Sequence, residues 1–257
     1  MKKTLVIILM AALLASVLLV GCGAVVTGSG NLETEIFDFS DFTKIEAHNG
    51  FQVELTQSSA YSIEITTDDN VQEYIEVTKS GDTLRIRLTG FRNYSSVTLE
   101  AKITMPDTYG INLSGGSQAD IIGFSSSHDF SAALSGGSKL DGNITTADVD
   151  FDLSGGSRVT GNITVSDADF GLSGGSQVNL EGTADDLEIN SSGGSQLDLE
   201  AFSVNNADVN ISGGGRATVN VSGTLDVNLS GGSRVLYVGE PTLGDIDLSG
   251  DSTVSKK

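Results

Sequence analysis

One pentapeptide constrains this chain more than any other feature. Leu113-Ser114-Gly115-Gly116-Ser117 recurs with the same five residue types from Leu134, Leu153, Leu172 and Leu229, and in variant form from Ser191, Ile211 and Leu248. The intervals between first residues are 21, 19, 19, 19, 20, 18 and 19. Two positions before the motif stand Ile111, Ala132, Phe151, Phe170, Ile189, Val209, Val227 and Ile246. Two positions after it stand Ala119, Leu140, Val159, Val178, Leu197, Ala217, Val235 and Val254. The positions between are polar, and this period-two alternation on both sides is that of half-buried strands. Each unit is therefore strand, glycine corner, strand. One such unit cannot bury its apolar face alone, whereas stacked units bury it continuously. The period is too short for a propeller blade, and no helical segment supports a leucine-rich repeat. The expected fold is an all-β, right-handed, single-stranded parallel β-helix with coils of about 19 residues. Its corners are Gly115, Gly116, Gly136, Gly137, Gly155, Gly156, Gly174, Gly175, Gly193, Gly194, Gly213, Gly214, Gly231 and Gly232, because glycine alone enters left-handed backbone freely and lets coils approach closely.

Residues 31–107 are β-rich but irregular. Phe51, Val53 and Leu55 alternate, as do Ile63 and Ile65, Leu84 and Ile86, and Leu99, Ala101 and Ile103. Ser80-Gly81-Asp82 and Pro106-Asp107 are turn signals. One helical turn is expected within 69–77, capped by Asp68 or Asp69. This half reads as larger opening coils with a cap, since an open solenoid end invites edge-to-edge association. The regular repeats fill 108–257, and the far end, interrupted by Pro241 and Asp251, reads as weakly capped.

The chain starts as an export signal. Lys2-Lys3, an apolar run to Val20 and a small residue at Gly21 precede Cys22, the sole cysteine. Leu19-Val20-Gly21-Cys22 resembles a bacterial lipobox, which implies cleavage after residue 21, lipid on Cys22 and a short linker over 22–30. The expected location is the cell envelope, outside the cytoplasmic membrane, held there by the lipid. With Cys22 lipidated no thiol remains for a disulfide or thiolate metal site. Loss of Lys2 and Lys3 leaves 12 basic against 34 acidic residues, a net charge of −22. Such a charge excludes nucleic acid and anionic lipid surfaces as general electrostatic partners.

The segments Phe42-Thr43-Lys44-Ile45-Glu46, Gly50-Phe51-Gln52-Val53-Glu54-Leu55 and Gly81-Asp82-Thr83-Leu84-Arg85-Ile86 resemble the head GIN domain of autotransporter-adhesin-like proteins. Gly110-Ile111-Asn112-Leu113-Ser114 is similar to the entry to its repeat region. The resemblance spans Asn31 to about Thr253. It implies a β-helical, surface-exposed and often lipidated protein, and it carries over no catalytic motif.

Stacking turns equivalent positions into rows. Asp150, Asp169, Glu188, Asp208, Asp226 and Asp245 form an acidic column three positions before the motif. Lys139, Arg158, Gln177, Gln196, Arg216 and Arg234 form a polar column just after it. The acidic column is either a solvated face or a row of oxygen ligands for weakly held calcium; no other cofactor is expected. The polar column either bonds along its own ladder or meets an anionic glycan. A serine nucleophile needs an adjacent base, and the two histidines, His48 and His128, lie outside the repeat pattern and read as surface residues. The expected function is therefore a non-catalytic, adhesin-like surface lipoprotein binding an extracellular or envelope ligand, glycan or protein. The alternatives are an envelope sensing or regulatory partner and a polysaccharide lyase or hydrolase.

Overall fold

Strands before and after each corner pair in parallel with the same strands one coil away. The computed structural model describes residues 25–90 and 92–257; the export signal over 1–21 and Cys22 lie outside the described residues. Asp148–Leu153 pairs with Asp167–Leu172, and Arg158–Thr164 with Gln177 to Thr183, each partner 19 residues on. The chain is thus a β-solenoid of about eight turns, and strand spacing sets a rise of about 4.8 Å per coil.

Each corner is built the same way. Gly155 and Gly156 hold φ values of 65° and 84°. A Cβ on Gly155 would lie 3.2 Å from the backbone nitrogen of Gly136 in the preceding coil, so positive φ and close stacking both require glycine there. Gly175 and Gly194 are exceptions without positive φ. The final serine of the motif turns inward and is buried. Ser157 Oγ donates to the Ser154 carbonyl at 2.8 Å, and Ser117, Ser138, Ser176, Ser195 and Ser233 repeat the bond three residues back. These hydroxyls satisfy a carbonyl that the bend would otherwise strand in the core.

The core is one axial stack. Phe151 and Phe170 lie face to face with centroids 5.4 Å apart and planes 9° from parallel. Long strands, Gln177–Ser192 and Gln196–Ser212, absorb register shifts between Asn179 and Gly182 and between Leu199 and Ser203.

The irregular half is threaded out of chain order. Lys44–Ala47 and Gln52–Gln57 form a coil that pairs in parallel with Gly110–Leu113 and Gln118–Ser125 on one side. On the other side it pairs with Thr83–Leu88 and Leu99–Met105. Antiparallel strands then close this end: Ile75–Ser80 on Thr83–Leu88, Ser62–Asp68 on Leu99–Met105, and Leu32–Ile36 on Ser62–Asp68. The expected helical turn is a 3-10 turn, Gln72–Tyr74, with Val71 at its N-cap and no side-chain cap. Asp68 is occupied elsewhere: its carboxylate accepts the backbone N–H of Gly30 at 2.7 Å and of Thr98 at 2.8 Å. Part of the expected linker is in a strand: Val25–Thr27 pairs in parallel with Asn93–Ser95. At the far end, among the described residues, Thr242–Leu248 and Thr253–Lys256 pair only with the coil before them, and Leu243 and Leu248 stay nearly half exposed.

Candidate functional site

Alternation within each strand puts two outward carboxylates either side of one buried apolar residue, as Asp148 and Asp150 flank Val149. Stacking then lays these pairs into rows. Asp150, Asp169, Glu188, Asp208 and Asp226 follow one another in register. Asp245 is displaced by a register shift between Leu225 and Val227, and its N–H donates to Asp226 Oδ1 at 2.6 Å. A second acidic row, Asp129, Asp148, Asp167 and Asp186, runs beside the first. It was legible at the same spacing, five positions before the motif, but fell outside the columns read from the sequence. The two rows face one groove of about 800 Å³ that also takes in Phe130, Val149, Ala168 and Leu187 and is entered past Lys44 and Tyr109.

On this face burial and mutual repulsion both disfavour the charged carboxylates. Burial, then the neighbouring carboxylates Glu188, Asp150 and Asp152, push the Asp169 carboxyl above its ordinary range. Burial and Asp152 raise Asp150; burial, Asp148, Asp186 and Asp185 raise Asp167. Burial, Glu188 and Asp226 raise Asp208 against the amide of Asn210, which donates at 3.0 Å. Among the described residues no three His, Cys, Asp or Glu side chains converge in a geometry that encloses a metal ion.

The polar column also stands in register, Lys139, Arg158, Gln177, Gln196, Arg216 and Arg234. Arg158 donates to the Gln177 side-chain carbonyl, so part of the row bonds to itself. Five of the six, without Lys139, line a smaller groove of about 310 Å³ with Asp198.

His48 corrects the sequence reading. Ala47 pairs with Leu113, so Ala47-His48-Asn49-Gly50-Phe51 is a disguised copy of the pentapeptide. Asn49 and Gly50 take φ values of 65° and 86°, and Ile45 and Val53 fill the apolar flanks. His48 therefore occupies the serine row directly beside Ser114, with a third of its side chain exposed. Its Nδ1 is 2.5 Å from Ser114 Oγ and its Nε2 is 3.8 Å from Glu46 Oε2. His128 is a surface residue, as expected, with polar and aromatic neighbours. Its Nδ1 lies 2.9 Å from Asp107 Oδ2 and 3.3 Å from Ser126 Oγ, and its ring packs on Tyr109 with centroids 4.6 Å apart. Serine and carboxylate share one ring nitrogen there, which makes a polar knot in a turn rather than a relay.

The family model described as "Putative auto-transporter adhesin, head GIN domain" matches residues 41–241. The chain belongs to this family. Among solved structures it is similar to a protein of Parabacteroides distasonis described as a "putative lipid binding protein", with a TM-score of 0.86 and 19% identity over 91% of this chain and 100% of that one. A "putative adhesin" of Parabacteroides merdae superposes with a TM-score of 0.83 at 18% identity, covering 91% and 99% of the two chains. Another, of Bacteroides fragilis, gives 0.68 at 21%, covering 90% and 100%. At these identities the likeness is one of fold. Among curated proteins no sequence match was found. The family and these neighbours carry adhesin or lipid-binding descriptions rather than enzyme ones.

Proposed function

We propose that this chain is a lipoprotein, exported by residues 1–21 and tethered to the envelope through Cys22, that works at the cell surface as an adhesin-like binding module. The regular repeats bind rather than react, because each presents the same side chains at the same pitch. The ligand-facing surface is the groove between the two acidic rows, and the ligand is an extended cationic segment of an extracellular protein. One observation carries this reading: Asp150, Asp167, Asp169 and Asp208 all face a single groove with their carboxyls pushed up by burial and by one another. A row of cationic groups at strand pitch relieves that repulsion along its whole length. Free calcium neutralises the same rows diffusely and more weakly, since no enclosing set of ligands is formed among the described residues. The head GIN family and its adhesin-named relatives support the surface role.

Isothermal titration with a lysine octapeptide at low salt tests the reading, with calcium chloride titrated separately. The peptide is expected to bind with an affinity that falls steeply between 50 mM and 500 mM salt, following ionic screening. The combined Asp148→Asn, Asp167→Asn and Asp169→Asn variant is expected to lose most of that binding. Equal binding by the variant, or no heat at low salt, sinks the proposal.

A further inference from the structure

A serine becomes a nucleophile only with a base beside it, and most of the repeated serines have none. At one coil the base is there. Elsewhere in this row the serines have only serines as axial neighbours, and Ser154, Ser173 and Ser249 direct their hydroxyls toward backbone carbonyls of the preceding coil at 3.4–3.5 Å. Ser114 alone has an imidazole next to it, because the coil stacked on its far side carries His48 in place of a serine.

The rest of the local chemistry is arranged around that pair. Ser114 bonds one ring nitrogen of His48 and Glu46 faces the other. A nucleophile on one nitrogen and a carboxylate on the opposite one is the arrangement in which a base can take a proton while the carboxylate steadies the resulting cation. Glu46 is held for this. Arg85 Nε donates to Glu46 Oε2 at 2.6 Å, and that bond, with the charge of Arg85 and an amide bond from Asn112, holds the carboxyl below its ordinary range against the opposing effect of burial. His48 and Ser114 border a groove of about 510 Å³ that runs along the coils past Asn112, Ala133, Asp152 and Gly171. The groove follows the serine row from Ser114 to Ser173, with Ala133 small at its floor and the Asp152 carboxylate lying over Gly171.

We propose that Ser114 and His48, positioned by Glu46, hydrolyse carboxylic esters carried by an extended ligand lying in this groove. His48 Nδ1 accepts the Ser114 hydroxyl proton as Oγ bonds to the ester carbon, and the carbonyl π pair moves onto its oxygen. When that pair returns, the C–O bond to the alcohol breaks and the leaving oxygen takes the proton from His48. Water then repeats the sequence on the Ser114 ester: His48 takes its proton, the hydroxyl oxygen bonds to the acyl carbon, and Ser114 Oγ leaves with the proton. The sum is ester plus water to acid plus alcohol. This chemistry is independent of the acidic face and involves none of its residues.

The full-length chain in detergent is assayed with p-nitrophenyl acetate and labelled with a fluorophosphonate, followed by peptide mapping. General-base activation is expected to give turnover on the order of 10²-fold or more above the Ser114→Ala variant, with the label on Ser114 alone. Ser249→Ala, altered in the same row but beyond the groove, is expected to keep full turnover, and His48→Gln to lose it. Glu46→Gln is expected to lower kcat with KM unchanged, and Glu46→Asp to recover part of the loss, a split that a purely structural role does not produce. Ser114→Ala removes one hydroxyl, so an unchanged melting curve separates lost chemistry from lost fold. Equal turnover by wild type and Ser114→Ala, or a label spread over several serines, overturns the proposal.

Discussion

At the scale of single residues, the acidic rows trade stability for charge. Asp169 is the clearest case, since burial and then Glu188, Asp150 and Asp152 all disfavour its ionised form. A carboxyl raised on folding means that the folded chain holds more protons than the unfolded one in the window above the unfolded value, about pH 3.9. Stability therefore falls as pH rises through that window, the reverse of a carboxylate held by a cation. Two unit charges about 5 Å apart in water repel by about 1 kcal/mol, and dissolved salt reduces this. Asp169→Asn is thus expected to be more stable than the parent at pH 7 and low salt by up to about 1 kcal/mol. The gain should shrink in 0.5 M salt and vanish near pH 3. Urea denaturation at the three conditions measures it, and a variant less stable at pH 7 contradicts the repulsion account.

At the scale of elements, what could be read from the sequence divides at about residue 108. Beyond it the motif returns every 18 to 21 residues, so corners, burial and most of the rows follow from counting along the chain. Before it the counting fails for two physical reasons. The corner at His48 substitutes Asn49, which tolerates left-handed backbone, for a glycine, and Phe51 for the inward serine, so the motif no longer looks like itself. Its pairing with Leu113, 66 residues away, also reverses stacking order relative to chain order, and nothing local in the sequence reports that. The same threading hid Asp68, which reads as a helix cap and instead ties the segment after Val25–Thr27 to the cap strands through Gly30 and Thr98. Those two backbone donors hold its carboxyl below the ordinary range, so its contribution is present above the unfolded value and is lost as pH falls below it. Asp68→Ala is expected to free residues 28–36 from the cap. Limited proteolysis then cuts between Gly30 and Ile36 well before the repeats, whereas equal protection in the variant and the parent shows that the strand pairing of Leu32–Ile36 with Ser62–Asp68 suffices alone.

At the scale of the whole molecule, the fold is a sum of near-identical layers, and the sequence contains a natural test of that. Residues 139–157 and 158–176 are successive 19-residue coils that share Gly-Asn-Ile-Thr at 142–145 and 161–164, and Asp-Phe-x-Leu-Ser-Gly-Gly-Ser at 150–157 and 169–176. Excising 158–176 joins Ser157 to Gln177. The strand Lys139–Thr145 then meets Gln177 to Thr183 in place of Arg158–Thr164, and Asp148–Leu153 meets Asp186 to Ser191 in place of Asp167–Leu172. The inward and outward alternation is kept: Val178 takes the place of Val159, Leu187 of Ala168 and Ile189 of Phe170, while Gly182 replaces Ile163 opposite Ile144. In a solenoid each layer contributes its own stability and one interface, so the shortened chain loses one increment and keeps its two ends. It is expected to melt in a single transition only a few degrees lower, since at this size about 1 kcal/mol moves the midpoint by about 2–4 °C. Excising 18 residues, 159–176, makes the contrast. That shift of one position turns each inward residue of the following strand outward against its neighbours, setting Phe151 and Leu140 against polar partners. The 18-residue deletion is expected to be insoluble or to melt far lower than the 19-residue one. Similar melting of the two by calorimetry contradicts the account in which axial rows of matched side chains hold this molecule together.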